Sequence, residues 1–372
     1  MQSTLRIMKV FPILLLWLAS GCASDRAPSG GPLDTTPLQV IFSDPAQSSV
    51  RVSTKTIHLK FNHEITGRQL LNALIISPSL GDYDISVDGK EAEIRAFKPL
   101  EQKRTFSITL DKKLSDNRGH SLPAPYTLAF STGEVIDSGT ITGKVVDADF
   151  SPATNALILA FAERPANNGA ENLLQRKPDY FVQAENSGEF SFRHLAAGSY
   201  RIVAVNDQNG DLHYNAATEE VGLCSTAIIP TGSADLLFRL SGIQGHNHKP
   251  LSKPASKAPA ADATGTLSGT CVASAQYVIV EASSQTASYS TTASRDRSGT
   301  WHYSFAELPP GSYTISAYVP LSSKKTDTKQ QWNPGSIEPY QPAEPCGYYP
   351  EKVTVRPRWT TEHIDIHINT SR

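Results

Sequence analysis

One eight-residue pattern occurs twice in this chain and restricts its fold more than any other feature. The pattern Leu-x-x-Gly-Ser-Tyr-x-Ile spans residues 195–202 and returns at 308–315. Each copy lies in a segment that opens with Gly-Thr-x-x-Gly, at Gly139–Gly143 and Gly265–Gly269. An ordered repeat with a period of about 115 residues indicates two copies of one kind of domain.

The preceding segment has the pattern of an antiparallel β-protein. Ile57, Leu59 and Phe61 alternate with polar residues, which is typical of a half-buried strand. Asp88-Gly89 predicts a tight hairpin turn. Strands are predicted at Leu38–Phe42, Thr56–Phe61, Ala73–Ser77, Asp84–Val87, Glu91–Ala96, Thr105–Leu110 and Tyr126–Ser131. Strands this short and this closely spaced favour a sandwich.

Four motifs give this segment a resemblance to a known family. They are Gly30–Pro37, Phe61–Ile65, Leu74–Pro78 and Phe130–Gly133. Together, over residues 30–134, they resemble the SbsA-type bacterial Ig-like domain. The resemblance implies an Ig-like fold without catalytic residues, placed after a lipidated cysteine as in the lipoprotein members of that family.

The two repeat copies resemble a second family, the carboxypeptidase-regulatory-like or transthyretin-like β-sandwich. The resemblance implies that Gly198 and Gly311 serve tight turns and that each following tyrosine begins a core strand. These modules accompany other activities and are not themselves enzymes. The fold class is therefore predicted as all-β, with three tandem antiparallel β-sandwiches. Their predicted ranges are 38–134, 138–240 and 265–372.

The beginning of the chain has the pattern of a lipoprotein signal. Arg6 and Lys9 precede an apolar stretch at residues 10–18, and small residues lead into Cys22. The apolar stretch is about half the roughly 20 residues that a spanning helix needs. Its end resembles the lipobox of bacterial lipoproteins, which implies lipidation of Cys22 and removal of residues 1–21. Residues 22–37 then predict a flexible tether.

One further stretch indicates how the domains are connected, and the charge balance limits the class of partner. Residues 241–264 are rich in Pro, Ala, Ser, Lys and Gly and predict a flexible linker between the second and third domains. Without Arg6 and Lys9, the mature chain carries 32 basic and 36 acidic side chains. This balance gives no indication of a nucleic-acid partner.

Three cysteines remain in what should be an oxidising compartment. We predict a disulfide between Cys271 and Cys346, because both belong to the third domain, while Cys224 lies across the predicted linker. Such a bond would help to hold down residues 320–350, which have little apolar content.

One loop has the beginning of a calcium-binding pattern. Asp207, Asn209 and Asp211 place oxygen-bearing side chains at alternate positions, so they are the candidate calcium ligands. The EF-hand template then fails, because Leu212 stands where that loop requires glycine. A polar hairpin loop explains the same residues.

The other candidate residues are histidines and aromatic side chains. His363, Asp365 and His367 share one face of a strand and could bind zinc, but an exposed face opposite three buried isoleucines explains them better. His246 and His248 lie in the predicted linker. The third domain is rich in aromatic residues, which would mark a glycan or protein surface if exposed and core packing if buried: Trp301, Trp332, Tyr340, Tyr348, Tyr349 and Trp359.

These observations predict a non-catalytic cell-envelope lipoprotein, and the absence of aspartate after Cys22 favours the outer membrane as its location. Its β-sandwiches would form a binding, adhesion or scaffold arm for an envelope protein or a glycan. The alternative is an envelope hydrolase or a metal-dependent enzyme with an unrecognised site. The sequence has no phosphate loop, nucleophile elbow or His-Glu-x-x-His motif that would favour this alternative.

Overall fold

Almost every element in the described part of the chain is a strand. In many of these strands apolar and polar side chains alternate, which suits a strand with one buried face. In the computed structural model, the described residues are 34–154, 156–163, 173, 176–207, 214–215, 218–241, 264–321 and 331–369. Residues 1–37 form one unit and residues 38–372 another. No helix within the described ranges is both long and apolar enough to cross a membrane. In the second unit, three hydrophobic cores define three domains.

The first domain is a sandwich of two antiparallel sheets. One sheet has the order β1-β2-β5-β4 and the other β3-β6-β7. Its strands are β1 (Val40–Asp44), β2 (Thr56–Phe61), β3 (Leu74–Ser77), β4 (Tyr83–Asp88), β5 (Glu91–Ala96), β6 (Thr105–Leu110) and β7 (Tyr126–Ser131). Ile57, Leu59 and Phe61 face the core, as their alternation predicts. The Asp88-Gly89 turn is confirmed, because Asp88 pairs with Glu91 and Gly89 has a positive φ.

A short helix, α1 (Gly67–Ala73), precedes β3 and is absent from the sequence-based prediction. Thr66 caps it: its side chain accepts a hydrogen bond from the Gln69 backbone N–H, and the Gln69 side chain accepts one from the Thr66 backbone N–H. Leu70 and Ala73 are its buried residues. A single helical turn or two carries too little periodicity for detection, so only the Thr66-x-x-Gln69 pattern indicates it.

The second domain consists of one sheet that curls around its core. The strand order is β10-β9-β12-β13-β15-β8-β11, with β14 paired to β12, and the edge strands β10 and β11 lie beside each other. The strands are β8 (Gly139–Val146), β9 (Leu157–Ala162), β10 (Tyr180–Gln183), β11 (Glu189–Leu195), β12 (Ser199–Val205), β13 (Val221–Leu223), β14 (Ile229–Pro230) and β15 (Leu236–Ser241).

The third domain has two main sheets, with orders β19-β20-β16-β26 and β18-β17-β21-β24. Strands β27 and β25 pair with β16 and β21. The strands are β16 (Gly265–Val272), β17 (Ile279–Ser283), β18 (Ser288–Thr292), β19 (Ser294–Arg295), β20 (Trp301–Leu308), β21 (Gly311–Tyr318), β22 (Ser336–Ile337), β23 (Tyr340–Gln341), β24 (Cys346–Tyr348), β25 (Val353–Val355), β26 (Thr360–Thr361) and β27 (Ile366–His367). Strands β22 and β23 form a separate hairpin.

The repeated sequence pattern corresponds to a repeated structure. In both domains the first strand pairs in parallel with a strand near the end, β8 with β15 and β16 with β26 and β27. Tyr200 and Tyr313 are both buried, and each hydroxyl donates to the carbonyl four residues earlier, at 2.7 Å to Ala196 and 2.8 Å to Pro309. The repeat therefore preserves a tyrosine that fastens the start of its strand to the preceding turn.

Gly198 lies in the turn between β11 and β12, and Gly311 is the first residue of β21, so both are at the predicted turns but without a left-handed conformation. Neither Gly198 nor Gly311 has a positive φ, and a Cβ atom at Gly198 would meet no atom within 4 Å. At another glycine, the close approach of a neighbouring backbone leaves no room for a side chain. At Gly269, in β16, a Cβ atom would lie 1.9 Å from the carbonyl oxygen of Ile364. Gly269 thus lets the final segment of the third domain pack closely against β16.

Candidate functional site

Several predicted site residues lie outside the described part of the chain. Cys22 is one, and Asn209 and Asp211 of the predicted calcium loop are two more. Asp207 is described and follows the end of β12 by two positions. The calcium site therefore stays a prediction that rests on the sequence pattern. His246 and His248 are also outside the described residues.

In the C-terminal segment, the two histidines and the aspartate face solvent, as the second of the two explanations predicts. His363, Asp365 and His367 are exposed, and Ile364, Ile366 and Ile368 are buried in the third core. Asp365 accepts hydrogen bonds from the backbone N–H and the hydroxyl of Thr270, at 2.9 and 2.7 Å. Its carboxylate therefore fastens the last segment to β16, and these residues are not brought together as metal ligands.

The predicted Cys271–Cys346 disulfide is not formed. Both residues, and Cys224, are free cysteines. Cys271 points into the core of the third domain. Cys346 pairs with Tyr318 on β21, at positions outside the core set of Ile315 and Ala317. The two cysteines thus lie in different sheets, Cys271 on the core face of β16 and Cys346 on the face of β24 away from the core, which the linear sequence does not reveal.

Packing, rather than a disulfide, holds residues 331–345 in place. Glu344 is buried, and its two carboxylate oxygens accept the backbone N–H groups of Leu321 and Asn333, both at 2.9 Å. The indole N–H of Trp332 donates to the Glu344 carbonyl at 2.9 Å. A buried carboxylate with two backbone donors is a satisfied one, so it organises this segment internally.

This segment packs on the second domain. Ile337 and Ala343 share an apolar cluster with residues of β9, β12 and β13, and Trp332 and Tyr340 pack against it. The Ala343 backbone N–H donates to the Cys224 carbonyl at 3.2 Å. The second and third domains are consequently docked, whereas the predicted linker between them implies independent movement. Their contact is the first candidate functional feature.

Aromatic and cationic side chains extend the same joint. Arg239 packs against two rings, with its guanidinium carbon 4.2 Å from the Phe150 centroid and 4.7 Å from the Trp332 centroid. Its Nε donates to the Ala148 carbonyl at 3.1 Å. Phe150 stacks on Tyr348 with ring centroids 4.9 Å apart. Burial lowers the pKa of Arg239 from its ordinary value, but a guanidinium remains charged at neutral pH.

Of the aromatic residues in the third domain, most are explained by packing. Trp301 is buried in the core, Tyr349 packs against it, and Trp332, Tyr340 and Tyr348 belong to the joint or to its margin. Trp359 is different, with 65% of its surface exposed. Packing therefore explains five of the six aromatic residues, and Trp359 is the exception. The six do not form an exposed surface for a ligand.

The first and second domains meet through a polar joint. Arg104 donates to the Tyr180 hydroxyl at 3.1 Å and to the Asp179 carboxylate at 3.4 Å. Asp179 is buried and also accepts from the Ala162 backbone N–H. The Phe181 backbone N–H donates to the Ser77 hydroxyl at 3.1 Å. Buried charge pairs of this kind require a defined geometry, so this joint also fixes orientation.

A cluster of two histidines and one aspartate is the second candidate feature. Among the described residues, His63, Asp116 and His120 form the group of three potential metal ligands that comes together. His63 follows β2, whereas Asp116 and His120 lie in the loop between β6 and β7. Asp116 Oδ2 lies 3.3 Å from His63 Nδ1 and 2.7 Å from His120 Nδ1. The sequence interpretation missed this group because its members are far apart in the chain.

Hydrogen bonds set the charge state of this cluster. Burial by itself would raise the pKa of Asp116, but hydrogen bonds from His120 and Arg118 lower it to about 2. Asp116 Oδ1 accepts the backbone N–H groups of Arg118 at 2.8 Å and His120 at 2.9 Å. The carboxylate is therefore ionised and held in a fixed orientation, with Oδ2 directed at the two imidazoles.

Comparison with known proteins supports the fold of the first domain. Residues 34–132 match the family described as bacterial Ig-like domain. No curated protein matches the chain at a level that would indicate a relationship. The match places an Ig-like fold where the residues 30–134 resemblance implies one.

Solved structures with some similarity come from several bacteria. An L,D-transpeptidase from Mycobacterium smegmatis is 17% identical, with 35% of this chain and 56% of that chain covered and a TM-score of 0.20. This chain thus spans little more than half of that structure. The minor pilin of Streptococcus agalactiae is 14% identical, with 63% of this chain and 98% of that chain covered and a TM-score of 0.19. A structure of alpha-2-macroglobulin from Escherichia coli is 14% identical, with 76% of this chain and 94% of that chain covered and a TM-score of 0.21. Values this low do not bear on function.

Proposed function

We propose that this protein is a non-catalytic adhesion or scaffold arm of the cell envelope, built of three β-domains that are docked on one another. The observation that carries the proposal is the continuity of side-chain contacts along the chain. Arg104 joins the first domain to the second, and Trp332 joins the third to the second. The bacterial Ig-like match of the first domain agrees with a module that does not carry catalysis.

Rigid joints suit a protein that presents a surface at a distance. A flexible string of domains must lose orientational freedom when its end binds a partner, whereas docked domains have lost that freedom during folding. Sandwich domains also present their loops at the ends of a stiff frame. The partner that we propose is accordingly an envelope protein or a glycan, contacted through loops and not enclosed in a deep cleft.

The membrane anchor in this proposal is the lipidated Cys22. The apolar stretch at residues 10–18 and the small residues before Cys22 support it. Several acyl chains would hold the protein stably, since each buried methylene contributes about 0.8 kcal/mol. The outer membrane is the proposed location. A hydrolase or metal-dependent enzyme has weaker support, because His363 and His367 are exposed and are not grouped with other ligands.

The docked arrangement is tested by measuring a distance between the first and third domains. Spin labels are attached to Lys98→Cys and Arg297→Cys, two exposed positions in the first and third domains. The native thiols are disfavoured as labelling sites, because burial raises the pKa of Cys224, Cys271 and Cys346. Pulsed electron spin resonance on the full chain should give one narrow distance distribution. A broad distribution, as expected for independent domains, would contradict the rigid arm.

The anchor is tested by mass spectrometry of the mature amino terminus. We expect a peptide that begins at Cys22 and carries acyl chains, and we expect its loss in Cys22→Ser. Ser20→Ala is the control, because a small residue is kept before the cysteine. An unmodified Cys22 in membrane-associated wild-type protein would mean that another anchor holds the chain.

A further inference from the structure

We propose that His63, Asp116 and His120 form a binding site for one Zn²⁺ ion in the first domain. The ligands would be Asp116 Oδ2 and one nitrogen of each imidazole, with water completing the coordination. Two imidazoles and a carboxylate are a donor set that zinc prefers, whereas calcium and magnesium prefer oxygen ligands. This inference is independent of the adhesion or scaffold role.

The distances between donor atoms are close to those of a zinc site. Zinc–nitrogen and zinc–oxygen bonds of about 2.0–2.2 Å place neighbouring ligands of a tetrahedral ion about 3.3 Å apart. His63 Nδ1 already lies 3.3 Å from Asp116 Oδ2. His120 Nδ1 is 2.7 Å from the same oxygen, and all three ligand atoms lie within 4.8 Å of one another. Side-chain adjustments of about 1 Å would therefore complete the coordination.

The surroundings of Asp116 resemble those of an oriented metal ligand. Its Oδ1 atom is occupied by two backbone N–H groups, which leaves Oδ2 as a single-oxygen ligand with a fixed direction. Hydrogen bonds of this kind to a ligating carboxylate position it for the ion. Only 3% of the Asp116 side chain is exposed, so competition from bulk water is limited.

The two histidine side chains keep a path to solvent. Their exposed fractions are 11% for His63 and 16% for His120. An ion can therefore enter without opening the core, and one coordination position stays available to water. The charge of the ligands also suits the ion, because an ionised Asp116 and two neutral imidazoles leave the zinc site with a net charge of +1.

The position of the cluster defines what the ion would do. His63 follows β2, whose Phe61 is in the first core, and Asp116 and His120 belong to the β6–β7 loop. A shared ion would cross-link these two distant segments. The loop is already fastened to α1 through the Gln69 side chain, which donates to Asn117 at 3.2 Å. Zinc would thus stabilise one end of the first sandwich.

The test uses the full chain, purified in detergent and freed of metal with a chelator. Titration with Co²⁺ alone should give one equivalent bound per chain, with the visible absorption of a four- or five-coordinate ion, and Zn²⁺ should displace it. His63→Asn and His120→Asn should each weaken binding at least tenfold. His302→Asn is the matched control, because His302 pairs with Asp296 at 2.9 Å but has no third metal ligand beside it among the described residues.

A measurement on the wild-type chain keeps the test decisive if a variant does not fold. Zn²⁺ should protect His63 and His120 from modification by diethyl pyrocarbonate and leave the exposed His363 reactive. The thermal midpoint should rise with zinc concentration in the wild type and in His302→Asn. Less than a tenth of an equivalent bound at micromolar zinc, equal binding by the site variants, or no protection of His63 and His120 would overturn the proposal.

Discussion

The guanidinium carbon of Arg239 lies 4.7 Å from the ring centroid of Trp332, so a side chain of the second domain is stacked on one of the third. The Phe150 ring also packs against the same guanidinium, with its centroid 4.2 Å from the guanidinium carbon. A desolvated cation packed against an aromatic face contributes about 2 kcal/mol, in addition to the apolar area that the rings bury. This contact joins two domains whose sequence connection predicts no fixed arrangement.

Replacement of Trp332 by alanine should separate the two domains. The change removes the stacking on Arg239 and the hydrogen bond to the Glu344 carbonyl. We expect a loss of about 2 kcal/mol in the free energy of unfolding and a second, earlier transition in calorimetry. Trp359→Ala is the control, because that side chain is exposed and should change stability by less than about 0.5 kcal/mol. Equal effects of the two substitutions would contradict this view of the joint.

The repeated tyrosines should each contribute a similar amount to stability. Tyr200→Phe and Tyr313→Phe remove the hydrogen bonds to the Ala196 and Pro309 carbonyls while keeping the buried rings. Each should cost about 1 kcal/mol, the net value of a buried hydrogen bond. Denaturant unfolding measures this cost. Tyr126→Phe serves as the comparison, as a partly buried tyrosine of the first domain outside the repeat.

The sequence is most informative about strands whose side chains alternate. It predicts Thr56–Phe61, Glu91–Ala96 and Thr105–Leu110 with the bounds that the structure has. Period-two alternation depends on local burial of one face, and such a signal is contained within six residues. The same signal identifies the exposed and buried faces of the segment that ends at Ile368.

Features that depend on distant contacts could not be predicted in this way. The docking of Trp332 on the second domain and the meeting of His63 with Asp116 join segments that are far apart in the sequence. The disulfide prediction was wrong for the same reason, because it used the domain that contains each cysteine and not the face of its strand. The direction in which Cys346 points follows from its pairing with Tyr318.

The three cysteines should be recovered as free and unreactive thiols. Burial raises the pKa of the Cys271 and Cys346 thiols to about 12 and also raises the pKa of the Cys224 thiol. The reactive thiolate is therefore scarce at pH 8, since its fraction falls as the pKa rises above the pH. Iodoacetamide should modify these residues slowly in the folded protein and completely in denaturant. Recovery of a Cys271–Cys346 peptide under non-reducing conditions would restore the disulfide instead.

Glycine at position 269 should be required, unlike glycine at position 198. Gly269→Ala would place a Cβ atom 1.9 Å from the Ile364 carbonyl oxygen, so β16 and the final segment must move apart. We expect a loss of more than about 2 kcal/mol, in the range of severe core overpacking. Gly198→Ala meets no neighbouring atom within 4 Å and should be close to neutral. Thermal melting of the two variants distinguishes them, and equal midpoints would contradict the close approach at Gly269.

Limited proteolysis should cut the chain between the second and third domains without releasing either part. The composition of residues 241–264 favours cleavage there, because it lacks the apolar side chains that bury a backbone. The apolar cluster around Ile337 and the hydrogen bond from Ala343 to Cys224 should then hold the fragments together. We expect two fragments in a denaturing gel and one peak in size-exclusion chromatography. The Trp332→Ala variant, cut in the same way, should elute as two species. Dissociation of the cleaved wild-type protein would show that the third domain is held by its connection alone.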